Sequence, residues 1–150
     1  MYLTEHFSLA ELVASEMAAR HGINNHPPND VLANLRNILA PGLERVREAL
    51  AHQAVLVTSG YRSRVLNAVV NGSRESAHIL GLAADIICPR YGSPLEVCRA
   101  IVAAGIETDQ IIHEGNWCHV AFPAPGAAAR HETLTAHFTS GDTTYTPGFV

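Results

Sequence analysis

The chain has 150 residues, with ten Lys plus Arg against fourteen Asp plus Glu, a net charge of −4, and 47% hydrophobic residues. This is the length of one domain with enough apolar material for a core, which excludes intrinsic disorder. The mild acidity excludes a general electrostatic grip on nucleic acid or anionic lipid, and no apolar run approaches the roughly 20 residues of a membrane span.

Ser8-Leu-Ala-Glu11 reads as a capping box, with Ser8 as cap and Glu11 reaching back. Leu9, Leu12, Val13 and Met17 then fall on one helical stripe that stops at Gly22. The segment before that helix lacks the basic-then-apolar order of an export signal. Asn24–Asn29 is turn-rich, and Asp30 is placed to cap a second helix. Pro41 is expected to kink or split that helix before it resumes over Leu43–Leu50. Ala54-Val-Leu-Val57 reads as a buried strand. Arg64–Val70 reads as a short helix and Asn71-Gly72-Ser73 as a loop. Ala83–Ile87 is a second strand. Ser93-Pro-Leu-Glu96 opens a helix running through Ala104 to Gly105. Asp109–Glu114 and Trp117–Phe122 are strands joined by Gly115-Asn116, a two-residue hairpin signal. His131–Phe138 is expected as an edge strand and Ser140–Val150 as a loose tail. The fold class expected is α+β, N-terminal helices packed on a small, mainly antiparallel sheet. One domain spans 1–150, with its core over about 5–122 and the edge strand and tail over 123–150.

The three cysteines, Cys88, Cys98 and Cys118, form no C-x-x-C pair, so neither a disulfide framework nor a thiolate zinc cage is expected. Nine histidines are many for this length and direct attention to metal chemistry. Catalytic zinc takes three protein ligands from His and carboxylate and keeps a fourth position open. His78 on a loop and Asp85 on the next strand are spaced to face one ion, and His119 can join them from the hairpin. Asp85 within an apolar strand needs a partner, because a buried charge is costly unless paired or metal-bound. An ion pair with Arg62 or Arg64 meets that need equally well. If Gly115-Asn116 is a two-residue loop, Glu114 pairs with Trp117 and Ile112 with His119, and all four side chains project from one face. Glu114 then lies diagonal to His119, roughly 7–8 Å away between backbones, where a carboxylate serves as a general base. His113 and Cys118 point to the opposite face. Trp117 either walls a cleft or packs in the core. The remaining histidines (His6, His21, His26, His52, His131 and His137) have no ligand-like spacing.

Ser59-Gly-Tyr-Arg-Ser63, Asn67, Asn71-Gly-Ser73, Ser76-Ala-His-Ile-Leu-Gly-Leu-Ala-Ala-Asp85, Asp109-Gln-Ile-Ile-His-Glu114 and Trp117-Cys-His-Val120 together resemble the zinc D-Ala-D-Ala carboxypeptidase family, within the Hedgehog/DD-peptidase-like metallopeptidases. Phe7-Ser-Leu-Ala-Glu-Leu12 and Gly22-Ile-Asn-Asn25 match its small phage and prophage type. The resemblance covers roughly residues 5–122. It implies His78, Asp85 and His119 as ligands of one zinc ion per chain, Arg62 as the arginine facing the substrate, and Ser76 near the substrate backbone. Many members carry the catalytic carboxylate three residues before the last ligand. Asn116 occupies that position here and cannot be a base, which leaves Glu114, with Asp109 as the fallback.

The expected activity is hydrolysis of peptidoglycan stem-peptide amide bonds, as a D,D-carboxypeptidase or an endolysin-like endopeptidase. Arg62, Ser76 and Trp117 would contact substrate, and the chain would work as a monomer without nucleic acid or membrane. Reaching the cell wall without a leader would require release through a pore or carriage on a phage particle. The alternatives are a cell-wall-binding or phage structural module that keeps the fold without turnover, and a zinc-stabilised interaction domain.

Overall fold

The computed structural model describes residues 1–150. The N-terminal region begins with α1 (Leu9–Val13) and α2 (Glu16–Arg20). The capping box is complete: Ser8 Oγ accepts from Glu11 N at 3.2 Å, and Glu11 Oε1 accepts from Ser8 N at 2.8 Å. The single helical stripe expected through Met17 is interrupted. Ser15 acts as a second N-cap, accepting from Ala18 N at 3.1 Å, because its hydroxyl competes with the helical backbone pattern.

The second helical stretch comprises α3 (Asn29–Asn34), a wide turn over Leu35–Leu39 and α4 (Ala40–Ala49). Pro28, not Asp30, holds the cap position; Asp30 lies in the first turn. Pro41 neither breaks nor splits the stretch. The turn ahead of it widens to i→i+5 bonding, with Ala40 N donating to Leu35 O. A widened turn of this kind relieves the clash a proline ring makes with the carbonyl four residues back.

Six strands follow: β1 (Leu56–Ser59), β2 (Ala83–Ile87), β3 (Gln110–His113), β4 (Cys118–Ala121), β5 (Glu132–Thr139) and β6 (Asp142–Pro147). They form one sheet in the order β1-β2-β4-β3-β5-β6. Every neighbouring pair is antiparallel except β3 with β5. The helices α5 (Arg64–Val69) and α6 (Pro94–Ala103) lie between strands in the chain.

The expected buried strand at Ala54–Val57 is displaced to Leu56–Ser59. It is a sheet edge and only half covered, with Leu56 49% exposed. An apolar run of four residues does not distinguish an edge from a centre. The tail also differs from expectation. Residues 142–147 form β6 and pair with β5 through Ala136↔Tyr145 and Phe138↔Thr143, so β5 is interior and β6 is the edge. The Gly141 turn, at φ +88°, closes this hairpin.

The two sheet faces have different jobs. Ala84, Ile86, Ile111, Cys118 and Val120 point to one side and are buried against Leu43 and Val46 of α4 and Val97, Cys98 and Ile101 of α6. The three cysteines are free and buried in or beside this core. Alternation along each strand sends Asp85, Ile112 and His119 to the other side.

Candidate metal centre and cleft

That open face carries the candidate site. Asp85 on β2 and His119 on β4 are direct cross-strand partners, and His119 Nδ1 lies 3.1 Å from Asp85 Oδ1. His78 comes from the turn-rich segment between α5 and β2, and its Nε2 lies 3.3 Å from the same oxygen. All three side chains are buried, and one donor atom from each falls within 4.8 Å of the others.

Two contacts orient this trio. His78 Nδ1 lies 2.7 Å from the Gly60 carbonyl, which can only accept, so Nδ1 carries the proton and Nε2 presents its lone pair to the centre. Arg62 Nη2 lies 3.4 Å from Asp85 Oδ2 and holds the carboxylate from the side away from the imidazoles. Both residues belong to the loop after β1. A register shift between Val57 and Ser59, opposite Ile86 and Asp85, turns the chain into that loop. Gly60 permits a close approach: a Cβ there would lie 2.3 Å from the Leu12 carbonyl.

Electrostatics match a ligand set. Burial opposes the charge on Asp85, but the hydrogen bond from His119 and the closeness of the His78 imidazole outweigh it and hold its pKa well below the ordinary carboxylate value. Burial pushes the His78 pKa below its ordinary value, against the pull of Asp85. A carboxylate beside a neutral imidazole is the protonation state a divalent cation requires. His78 Nε2 is buried with no hydrogen-bond partner. An orphaned acceptor beside a buried carboxylate oxygen is satisfied by a cation, so the residues present fit a bound metal ion. The sequence left open whether Asp85 serves an ion pair or a metal. The structure gives it one oxygen toward Arg62 and the other toward the imidazoles.

The hairpin register is the expected one. Ile112 pairs with His119 and His113 with Cys118, and Glu114 N donates to Trp117 O at 3.1 Å. Glu114 and Trp117 therefore face the cleft, and the indole Nε1 donates to Glu114 Oε2. This settles Trp117 as part of the cleft, not the core. Burial, then the nearby Asp85 charge, raise the Glu114 pKa above its ordinary 4.5, against His119, Trp117 and Arg62.

Other expected site residues have defined partners. Ser76 lines the cleft, but its hydroxyl accepts from His78 N at 3.2 Å and so caps the His78 loop. Asp109, the fallback base, is held in two contacts by Arg130, at 2.8 and 2.9 Å. Asn67 belonged to the motif but had no role assigned from sequence. It is 3% exposed, accepts from Arg62 Nη1 at 3.1 Å and donates to the Ser73 carbonyl at 2.8 Å. Gly72 packs on this pair so closely that a Cβ would lie 2.1 Å from Asn67 Oδ1.

The cleft has a volume of about 570 Å³. A second hollow of about 600 Å³, at the C-terminal ends of α4 and α6, carries Arg45, Glu48 and Glu107 but no ligating or nucleophilic cluster. No helix is long and apolar enough to cross a membrane.

A half-open sheet face with a buried His-Asp-His trio and an adjacent carboxylate is the arrangement of a metal-dependent hydrolase. The peptidase M15 family model matches residues 5–121, and the chain belongs to that family of metallopeptidases. No individually curated protein matches the chain.

Proposed function

We propose that this protein is a zinc-dependent peptidase that hydrolyses amide bonds in peptidoglycan stem peptides, with His78, Asp85 and His119 as the ligands and Glu114 as the general base. The observation that carries this reading is the buried trio whose His78 Nε2 has no protein partner, set on the same sheet face as Glu114. A zinc ion there supplies Lewis acidity, polarising the scissile carbonyl and lowering the pKa of water toward neutrality.

The remaining chemistry belongs to the chain. Glu114 takes the proton of the attacking water and delivers it to the leaving amine. Its raised pKa suits both halves of that exchange. Trp117 holds the carboxylate in place through its indole N–H. Arg62 uses three of its five N–H donors on Ser59, Asn67 and Asp85. Its fixed positive charge is left facing the cleft, where it stabilises negative charge developing on the carbonyl oxygen. Ser76 keeps the His78 loop closed and offers its hydroxyl to the substrate backbone.

The test is metal content together with turnover. Purified protein is expected to hold about one zinc per chain and to cleave muropeptides, with loss on chelation and recovery on zinc addition. Zinc bound without turnover on any cell-wall peptide would replace this reading with a non-catalytic wall-binding or phage structural module. Absence of bound metal after gentle purification and zinc addition would refute both.

A further inference from the structure

The family match ends at residue 121, yet the cleft does not. Its far wall is the β5–β6 hairpin, through Leu134, Phe138, Thr143 and Tyr145. The register explains why. Ile112 of β3 is beside Leu134 of β5, so continuing two residues places Glu114 beside Ala136, whose partner on β6 is Tyr145. Cross-strand neighbours share a face, so Tyr145 stands on the same face as Glu114, two strands away. At a strand spacing of about 4.8 Å, that puts their backbones roughly 10 Å apart, within joint reach of a tyrosine and a glutamate.

Ala136 between them is small and 8% exposed, while Tyr145 and Phe138 are 50% and 58% exposed. The Phe138 ring edge comes within 3.9 Å of the space beside Gly115, in the turn that follows Glu114. An aromatic shelf therefore begins where the carboxylate ends.

The charges in the cleft bear on what lies on that shelf. The cations lining it are Arg62 and Arg130. Arg62 is balanced by Asp85 and Arg130 by Asp109. Arg62 stands at the β1 end of the sheet, away from the hairpin, and Arg130 is already paired, so no unpaired cation meets a terminal carboxylate on the hairpin side. Glu114 hands its proton to the leaving amine, so the leaving side of the substrate starts at Glu114 and continues onto the hairpin.

We propose that Phe138 and Tyr145 form the leaving-group subsite and select a neutral group that extends past the scissile amide over a free carboxylate. The proposal rests on the peptidase reading above. It is tested with two probes, a stem pentapeptide ending in a free carboxylate and the same peptide as its C-terminal benzylamide. Zinc-loaded full-length protein is expected to favour the benzylamide by about tenfold or more, in kcat/KM and in calorimetric affinity. Phe138→Ala and Tyr145→Ala should each bring that ratio near one, while Tyr145→Phe, which keeps the ring, should preserve it. Preference for the free acid, or a benzylamide preference that survives both alanine variants, overturns the proposal. The wild-type ratio and Tyr145→Phe decide the matter even if an alanine variant fails to fold. If the wild type cleaves neither probe, the peptidase reading fails, and the affinity ratio alone still decides the subsite.

Discussion

Glu114→Gln isolates the proton-transfer step. Glutamine keeps the length of the side chain and an oxygen that accepts from the Trp117 indole, so the turn and the cleft wall survive. It also leaves His78, Asp85 and His119 untouched. What is lost is the ability to take and return a proton, a step worth about 10²–10⁴-fold. A loss of about 10³-fold, the middle of that range, is expected; burial raises the Glu114 pKa above its ordinary 4.5 and makes it a stronger base than a solvated carboxylate. At about 1.4 kcal/mol per tenfold, that is roughly 4 kcal/mol of barrier. The assay is steady-state cleavage of a muropeptide at saturating zinc, with metal content measured on the same sample.

Stability provides a second, opposite readout in chelator-treated protein. A carboxyl whose folded pKa lies above its unfolded value favours folding while protonated. That contribution is lost as pH rises from about the ordinary 4.5 through the folded value. The melting temperature of Glu114→Gln relative to wild type should therefore be higher at pH 7 than at pH 4. Turnover within threefold of wild type would refute the assignment of the base. A large drop in activity accompanied by loss of zinc would show that the residue acts through the metal site.

His78→Ala and Asp85→Ala should each lose bound zinc and turnover together, read by metal analysis and the same assay; an active variant with full zinc would remove that residue from the ligand set. Asp109→Asn breaks a largely exposed pair with Arg130, so it should cost no more than about 1 kcal/mol in urea unfolding. It should also leave turnover intact, and a hundredfold loss would make Asp109 the base. Gly60→Ala puts a methyl 2.3 Å from the Leu12 carbonyl. Overpacking of this kind costs about 1–3 kcal/mol. Moving the Gly60 carbonyl off His78 Nδ1 should also weaken zinc affinity by about 10–100-fold, measured by competition with a chelating dye.

Much of the site was legible because short-range rules govern it. A two-residue turn at Gly115-Asn116 fixes strand register, and register fixes which side chains share a face, so Glu114, Trp117 and His119 were placed together from spacing alone. The capping box at Ser8 and Glu11 and the helix opened by Ser93-Pro94 are equally local. Asp85 stood out because an apolar strand makes an acid conspicuous.

What the sequence hid depends on contacts between distant segments. Whether β1 is an edge or a centre is decided by which strands pair on either side, which a four-residue run does not encode. The Ser140-Gly141 turn flanked by alternating residues was a hairpin signal, but the small polar residues of the tail masked it. Only the assembled sheet sets Tyr145 two strands from Glu114. Asn67 and Gly72 show the same limit, since their value lies in gripping Arg62. The chain alone determined the hairpin register and the helix starts at Ser8 and Ser93, products of backbone geometry over a few residues. The meeting of His78, Asp85 and His119 at one buried point, the Arg62 clamp and the aromatic far wall were decided by sheet order and packing, which bring together residues that have no local reason to meet.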